Sequence, residues 1–155
     1  MTDVRVGVVD VYVIRFRAKR ARVLALRRGR RANTRSPGSW ETVHGTIEPG
    51  ERPPDAARRE VREETGLEPD RLYSLTVNPF YLHRTGAVEL AVAFAAVVPA
   101  GPVTLGDEHD AYEWLSFTRA AGRFTWPREV EALGHIRKLL RDGTAGVVED
   151  VLRVL

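Results

Sequence analysis

Residues 45–67 read GTIEPGERPPDAARREVREETGL, and the placement of their acids decides how the rest of the chain is read. From 54 to 65 the residues are good helix formers, with prolines at the start and Gly66 just past the end, the asymmetry of a helix about three turns long. Glu60, Glu63 and Glu64 are three and four residues apart and share one face of it, while Ala57 and Val61 turn towards a core. Those carboxylates sit in the last turns, where the negative end of the helix dipole makes each acid unfavourable by about a few tenths of a kcal/mol. Arg58, Arg59 and Arg62 offset part of that. An Arg/Glu-rich helix is more often just a solvated face, but three converging oxygen donors with few fixed counter-charges suit a hard cation. Mg²⁺ is the expected ion, with Mn²⁺ as the alternative.

Outward from this segment, residues 4–16 are rich in Val, Ile, Tyr and Phe and predict a long strand, followed by a basic turn over 17–22 and a second strand over 23–26. Residues 29–38 carry Gly, Asn, Ser and Pro and predict a surface loop leading to Trp40. Two β-rich runs, 72–82 and 87–98, are joined through Arg84, Thr85 and Gly86 as a hairpin. Residues 112–117 make a short last strand. Over 127–141, Val130, Leu133, Ile136 and Leu140 recur at helical spacing and predict a second helix with one apolar face. The tail 147–155 is apolar enough to pack, at home or across a homodimer. Strands with two helices give an α+β sandwich.

The chain of 155 residues is 43% hydrophobic and 29% charged, a composition that fits one globular domain over 1–155. It contains no apolar run of roughly 18 residues that could cross a bilayer, so no membrane partner is expected. Without a signal-peptide pattern and with zero cysteines, a cytoplasmic setting is expected, and disulfides, thiolate metal sites and thiol nucleophiles are excluded. The net charge is +3, yet ten of the basic residues crowd between Arg15 and Arg35. That run could meet phosphates. Nucleic-acid binding is not expected, since neither interleaved aromatics nor a known module accompanies it.

Gly45, Glu51, Arg59, Glu60, Val61, Glu63, Glu64, Gly66 and Leu67 match every defining position of the Nudix box. An accidental match of seven fixed identities has a probability on the order of one in ten million per starting point. The stretch therefore resembles the Nudix hydrolases. The resemblance implies an α/β/α sandwich with a mixed sheet between helices, in which Glu60, Glu63 and Glu64 are metal ligands or the general base. It implies that the Gly45 carbonyl also binds metal and that Glu51 and Arg59 hold the motif together. Arg59 precedes Glu63 by one turn, the weaker order for helix stability, so orientation is the better reason for that pair. Pro49 and Gly50 suit a tight turn delivering Glu51. Outside the box, related enzymes bring a glutamate from a loop on the same side to the metal, and Glu108 in the run 106–117 is the candidate. A solvated turn of Asp107, Glu108 and Asp110 is the competing reading. His109 fits a structural place near the site better than Mg²⁺ ligation.

Trp40 to Gly45, Glu108 to Leu115 and Trp126 are similar to the bacterial dihydroneopterin triphosphate and dATP pyrophosphohydrolase branch. That likeness implies a dNTP or pterin triphosphate substrate, cut to a monophosphate and pyrophosphate. Arg27 and Arg28 would then meet phosphate oxygens, and Trp40, Phe80, Tyr81 and Trp126 offer flat surfaces for a base. A dinucleoside polyphosphate hydrolase and a non-catalytic nucleotide-binding domain are the alternatives, the second opposed by the intact acids. His44 stands where many members carry a second glycine, and because a β-carbon at residue 44 restricts positive φ, the loop conformation at Gly45 is left open.

Overall fold

The computed structural model describes residues 1–31 and 35–155. Of the loop expected over 29–38, residues 32–34 therefore lie outside the described residues. The element order is β1 (Val4–Arg17), β2 (Arg20–Arg28), β3 (Trp40–Glu41), β4 (Val43–Thr46), α1 (Pro53–Thr65), β5 (Arg71–Leu82), β6 (Ala87–Val97), β7 (His109–Leu115), α2 (Phe117–Arg123), α3 (Pro127–Leu139) and α4 (Glu149–Leu152). The long strands and both expected helices fall within a few residues of their predicted bounds. The short strands β3 and β4 and the helix α2 carry too few residues for a period to show.

The strands form one mixed sheet ordered β3-β2-β1-β6-β5, with β4 beside β1 and β7 beside β2. β1 and β6 run parallel; the remaining pairs are antiparallel. Alternation along β1 splits its side chains between two cores. Val9, Val11 and Val13 pack with Ala56, Ala57 and Val61 of α1. Tyr12 and Ile14 pack on the other face with Ala132, Leu133 and Ile136 of α3. The result is the α/β/α sandwich that the box implies. β1 pairs with β2 at its far end and with β4 over Val8–Val11. The same strand edge therefore serves two partners, and β4 diverges from the β2–β7 layer to open a cleft.

The tail is held by its backbone and by Glu149, whose carboxylate accepts from the Tyr73 hydroxyl at 2.8 Å and from the Ala145 amide at 2.7 Å, and not by its valines. Arg153 bridges Tyr73 and the Val154 amide donates to the Leu72 carbonyl, while Val147 and Val151 stay 99% and 72% exposed. No helix of the described residues is long and apolar enough to cross a membrane.

One polar cluster is buried under the α3 face. Asp10 is wholly buried, accepts from His44 Nδ1 at 2.6 Å and from Arg128 Nε at 2.9 Å, and lies near Tyr12 and Glu129. Burial alone pushes its carboxyl up, but the hydrogen bonds and charges of His44 and Arg128 outweigh that and hold it down at about 2. A depressed carboxylate stabilises the fold fully above its unfolded pKa and loses that contribution as pH falls through the folded value. Replacing Asp10 by Asn should therefore remove the part of the acid-unfolding slope between about pH 4 and pH 2, a contribution on the order of 2 kcal/mol. Equilibrium urea unfolding across that window checks it. An unchanged slope in Asp10→Asn refutes the assignment.

Candidate active site

The catalytic-helix segment is built by local rules. Pro53 and Pro54 start α1, and Gly66 ends it in the left-handed conformation at φ 70°. Ahead of it, Gly50 at φ 79° makes the turn that returns Glu51 towards the helix. Arg59 ties the two ends together: its guanidinium donates to Glu51 at 2.9 Å, to Glu60 at 2.7 Å, to Glu63 at 3.3 Å and to the Thr46 carbonyl at 2.8 Å. The bond from Arg59, with the Glu48 amide, draws the Glu51 carboxyl down to about 2. Arg59 thus orients the acids and joins α1 to β4, as its unfavourable helix order suggested.

Gly45 lies in β4 opposite Val9, and its backbone does not use positive φ. The glycine is needed for another reason: a Cβ here would overlap the Glu60 carboxyl. The conformation that the sequence left open here is a strand, on which Glu60 rests directly. Gly106 plays a similar part on the opposite wall. Its amide donates to the Glu64 carbonyl at 3.1 Å, and a Cβ would meet the Glu63 carbonyl oxygen at 2.8 Å. Gly106 thereby lets the loop carrying Asp107 and Glu108 close against the end of α1.

These elements enclose a cleft of about 640 Å³ lined by Gly45, Glu60, Glu63, Glu64, Glu108 and Arg28, with His44, Arg35 and Arg84 on its rim. Glu60, Glu63, Glu64 and Glu108 are brought together here, with Asp107 of the same turn beside them, while Glu51 is held by Arg59 outside the lining. Their environments differ widely. Glu63 and Glu108 are 58% and 60% exposed at the side chain, whereas Glu64 is only 8% exposed. Burial pushes the Glu64 carboxyl well above the usual range, with the charges of Glu60, Glu108 and Glu41 adding to the rise. Burial raises Glu60 as well, against the lowering effect of Arg59.

Behind Glu64 stands a group the sequence reading did not single out. Glu41 accepts from Arg28 Nε at 2.6 Å and from His109 Nε2 at 3.0 Å. The other ring nitrogen, Nδ1, faces Glu64 Oε2 at 3.8 Å. Neither atom has a hydrogen-bond partner among the described residues. Two buried polar atoms left without a partner point to an atom or ion that the described residues do not supply. The acidic set and this orphaned pair therefore fit a divalent cation, although no three His, Asp or Glu side chains of the described residues already converge as a closed ligand set. The only local signal for Glu41 was an acid among the apolar and aromatic residues 40–43, too short a stretch to reveal its burial.

Three of the expected substrate contacts do not line this cleft. Arg28 lines the cleft, but Arg27, one residue earlier on β2, points to the other face and pairs with Asp110 at 2.7 Å. Trp40 lies cross-strand from Arg27, with the Arg123 guanidinium 4.8 Å from its ring centre. Tyr81 is 61% exposed on β5, an outer strand of the sheet. The period of two along a strand is the cause for Arg27 and Trp40, and strand order for Tyr81. Phe80 and Trp126 flank Arg128, at 5.2 and 5.8 Å. Arg28→Ala is expected to lower kcat/KM at least tenfold, because it frees Glu41 and removes a cleft cation. Arg27→Ala is expected to change it less than twofold. Steady-state kinetics on the two variants checks the contrast, and equal losses refute it.

The family model for the NUDIX domain matches residues 6–133, which takes in both walls of this cleft. The chain belongs to the NUDIX family. An octanoyltransferase of Myxococcus xanthus is 36% identical over 118 residues, 74% of this chain and 32% of the relative. The nucleoside triphosphatase NudI of Escherichia fergusonii is 31% identical over 91 residues, 51% of this chain and 62% of the relative. The chain thus spans about a third to three fifths of the curated relatives it matches. Among solved structures, the E. coli dihydroneopterin triphosphate pyrophosphohydrolase superposes with a TM-score of 0.65 at 25% identity, covering 86% of this chain and 95% of that one. This NUDIX chain therefore shares fold and sequence with a dihydroneopterin triphosphate pyrophosphohydrolase, and sequence with a nucleoside triphosphatase.

Proposed function

We propose that this NUDIX chain hydrolyses a phosphoanhydride bond in a nucleoside triphosphate-like substrate, a dNTP or dihydroneopterin triphosphate, giving a monophosphate and pyrophosphate. The observation that carries the reading is the gathering of Glu60, Glu63, Glu64 and Glu108 around one cleft that also holds Arg28. Glu60, Glu63, Glu64, Glu108 and the Gly45 carbonyl would hold Mg²⁺, or Mn²⁺ in its place. Divalent ions at such a site neutralise non-bridging phosphate oxygens and help ionise water. The chain's own residues set the geometry. Arg59 keeps Glu60 and Glu63 turned towards each other, Gly45 lets Glu60 sit against the strand, and Glu41 with His109 fixes the wall behind Glu64. A glutamate of this set accepts the proton of the attacking water, and Arg28 meets the negative charge of the phosphate chain.

The test is product release from a panel containing dNTPs, dihydroneopterin triphosphate, dinucleoside polyphosphates and nucleotide sugars, each with Mg²⁺ and with chelator. Metal-dependent release of pyrophosphate and a monophosphate from a triphosphate is the expected outcome. Cleavage confined to dinucleoside polyphosphates replaces the substrate class. No cleavage anywhere, with retained nucleotide binding, overturns hydrolysis in favour of a binding domain.

A further inference from the structure

His44, which directly precedes the box, is held in a way that a filler side chain would not require. Gly45 and His44 are neighbours on β4, so they project to opposite faces of the sheet. Gly45 meets Glu60 on the α1 face. His44 pairs across the strands with Asp10, on the face where Tyr12 and Ala93 pack beneath α3. His44 nonetheless lines the same cleft as the carboxylates, because β4 forms the cleft's edge. The cleft therefore wraps over β4, with acids on one side and His44 on the other.

The imidazole is locked from behind. Its Nδ1 lies 2.6 Å from Asp10 Oδ1, and Asp10, with no exposed surface, also receives two hydrogen bonds from Arg128 at 2.9 and 3.3 Å. Arg128 is itself fixed between the rings of Phe80 and Trp126. Asp10 thus occupies Nδ1 and leaves Nε2 as the ring nitrogen for the cleft, an acceptor in the tautomer that carries its proton on Nδ1. Phosphate oxygens offer only acceptors at neutral pH and do not match a lone pair. The hydroxyls of a sugar or side chain and the ring N–H groups of a base or pterin do.

We infer that His44 is a specificity residue: positioned by Asp10 and Arg128, it accepts a hydrogen bond from the organic half of the substrate while the phosphates lie on the Glu60 side of β4. This rests on the proposed substrate class only for which end of the molecule enters where. Calorimetric binding in chelator, where no turnover occurs, separates it from the hydrolysis reading. The probes are dATP, dihydroneopterin triphosphate and inorganic tripolyphosphate, which has phosphates but no organic half. The wild type should bind one of the two organic triphosphates more tightly than tripolyphosphate. In His44→Ala that preference ratio should fall about tenfold, the equivalent of one hydrogen bond. His44→Gln, whose amide oxygen can take the place of Nε2, should keep at least half of the preference. Three results each overturn the inference: a wild type that prefers tripolyphosphate, an unchanged ratio in His44→Ala, or equal weakening for all three probes. The last would make His44 a phosphate contact or a purely structural side chain. Failure of cleavage alongside a preserved binding preference would count against hydrolysis alone.

Discussion

Glu64→Gln is expected to lower turnover by at least 10³-fold while raising the melting temperature measured in chelator. Both effects have one cause. Glu64 is almost fully buried, its Oε2 has no partner among the described residues, and Glu60, Glu108 and Glu41 all oppose its charge. Without a cation that carboxylate is a strained group, and glutamine removes the charge without changing the side chain's size. Relief of an unsatisfied buried charge is worth on the order of 1–3 kcal/mol, or about 3–9 °C for a domain of this length. The loss of turnover follows because a ligand charge worth several kcal/mol to phosphoryl chemistry is gone. Scanning calorimetry with and without Mg²⁺ provides the second readout: the wild type should gain stability from the ion and the variant should gain much less. Full activity in Glu64→Gln would sink the assignment of Glu64, and a lower melting temperature in chelator would show that its charge is already satisfied.

Gly45→Ala should reduce kcat/KM about a hundredfold and leave the fold nearly unperturbed. The new Cβ collides with the Glu60 carboxyl, the movable end of a flexible side chain. Glu60 can swing away, so the stability change should stay below about 1 kcal/mol, within the range of mild substitutions. The displaced carboxyl no longer meets Arg59 as before, and a misplacement of about 1 Å in a site of this kind is sufficient for a loss near 10²-fold. Gly106→Ala is the contrasting case, because there the collision is with the Glu63 backbone carbonyl, which cannot rotate away. Kinetics combined with urea unfolding separates the two: activity without stability is lost at Gly45, and both are lost at Gly106. A normally active Gly45→Ala enzyme would mean that the Glu60 position seen here is not the one used in catalysis.

The sequence by itself determined α1, its prolines and glycine stop, the shared face of Glu60, Glu63 and Glu64, and the bracing role of Arg59. These depend on contacts within about one helical turn or one tight turn, where spacing along the chain is spacing in space. The long strands were legible for the same reason, since each carries many consecutive β-branched and aromatic residues. Glu108, singled out in the sequence, lies in a loop that lines the cleft beside Glu60, Glu63 and Glu64. Only the tertiary structure decided which of two adjacent arginines reaches the cleft, because a strand exposes either parity until its partners are known. The same parity turns Trp40 away from the cleft, and the order of strands in the sheet does so for Tyr81. The pairing of Glu41 with His109, 68 residues apart, and of Asp10 with Arg128, 118 residues apart, likewise left no local trace. Burial turns such acids into strong interactions, and burial is a property of the assembled layers rather than of any segment.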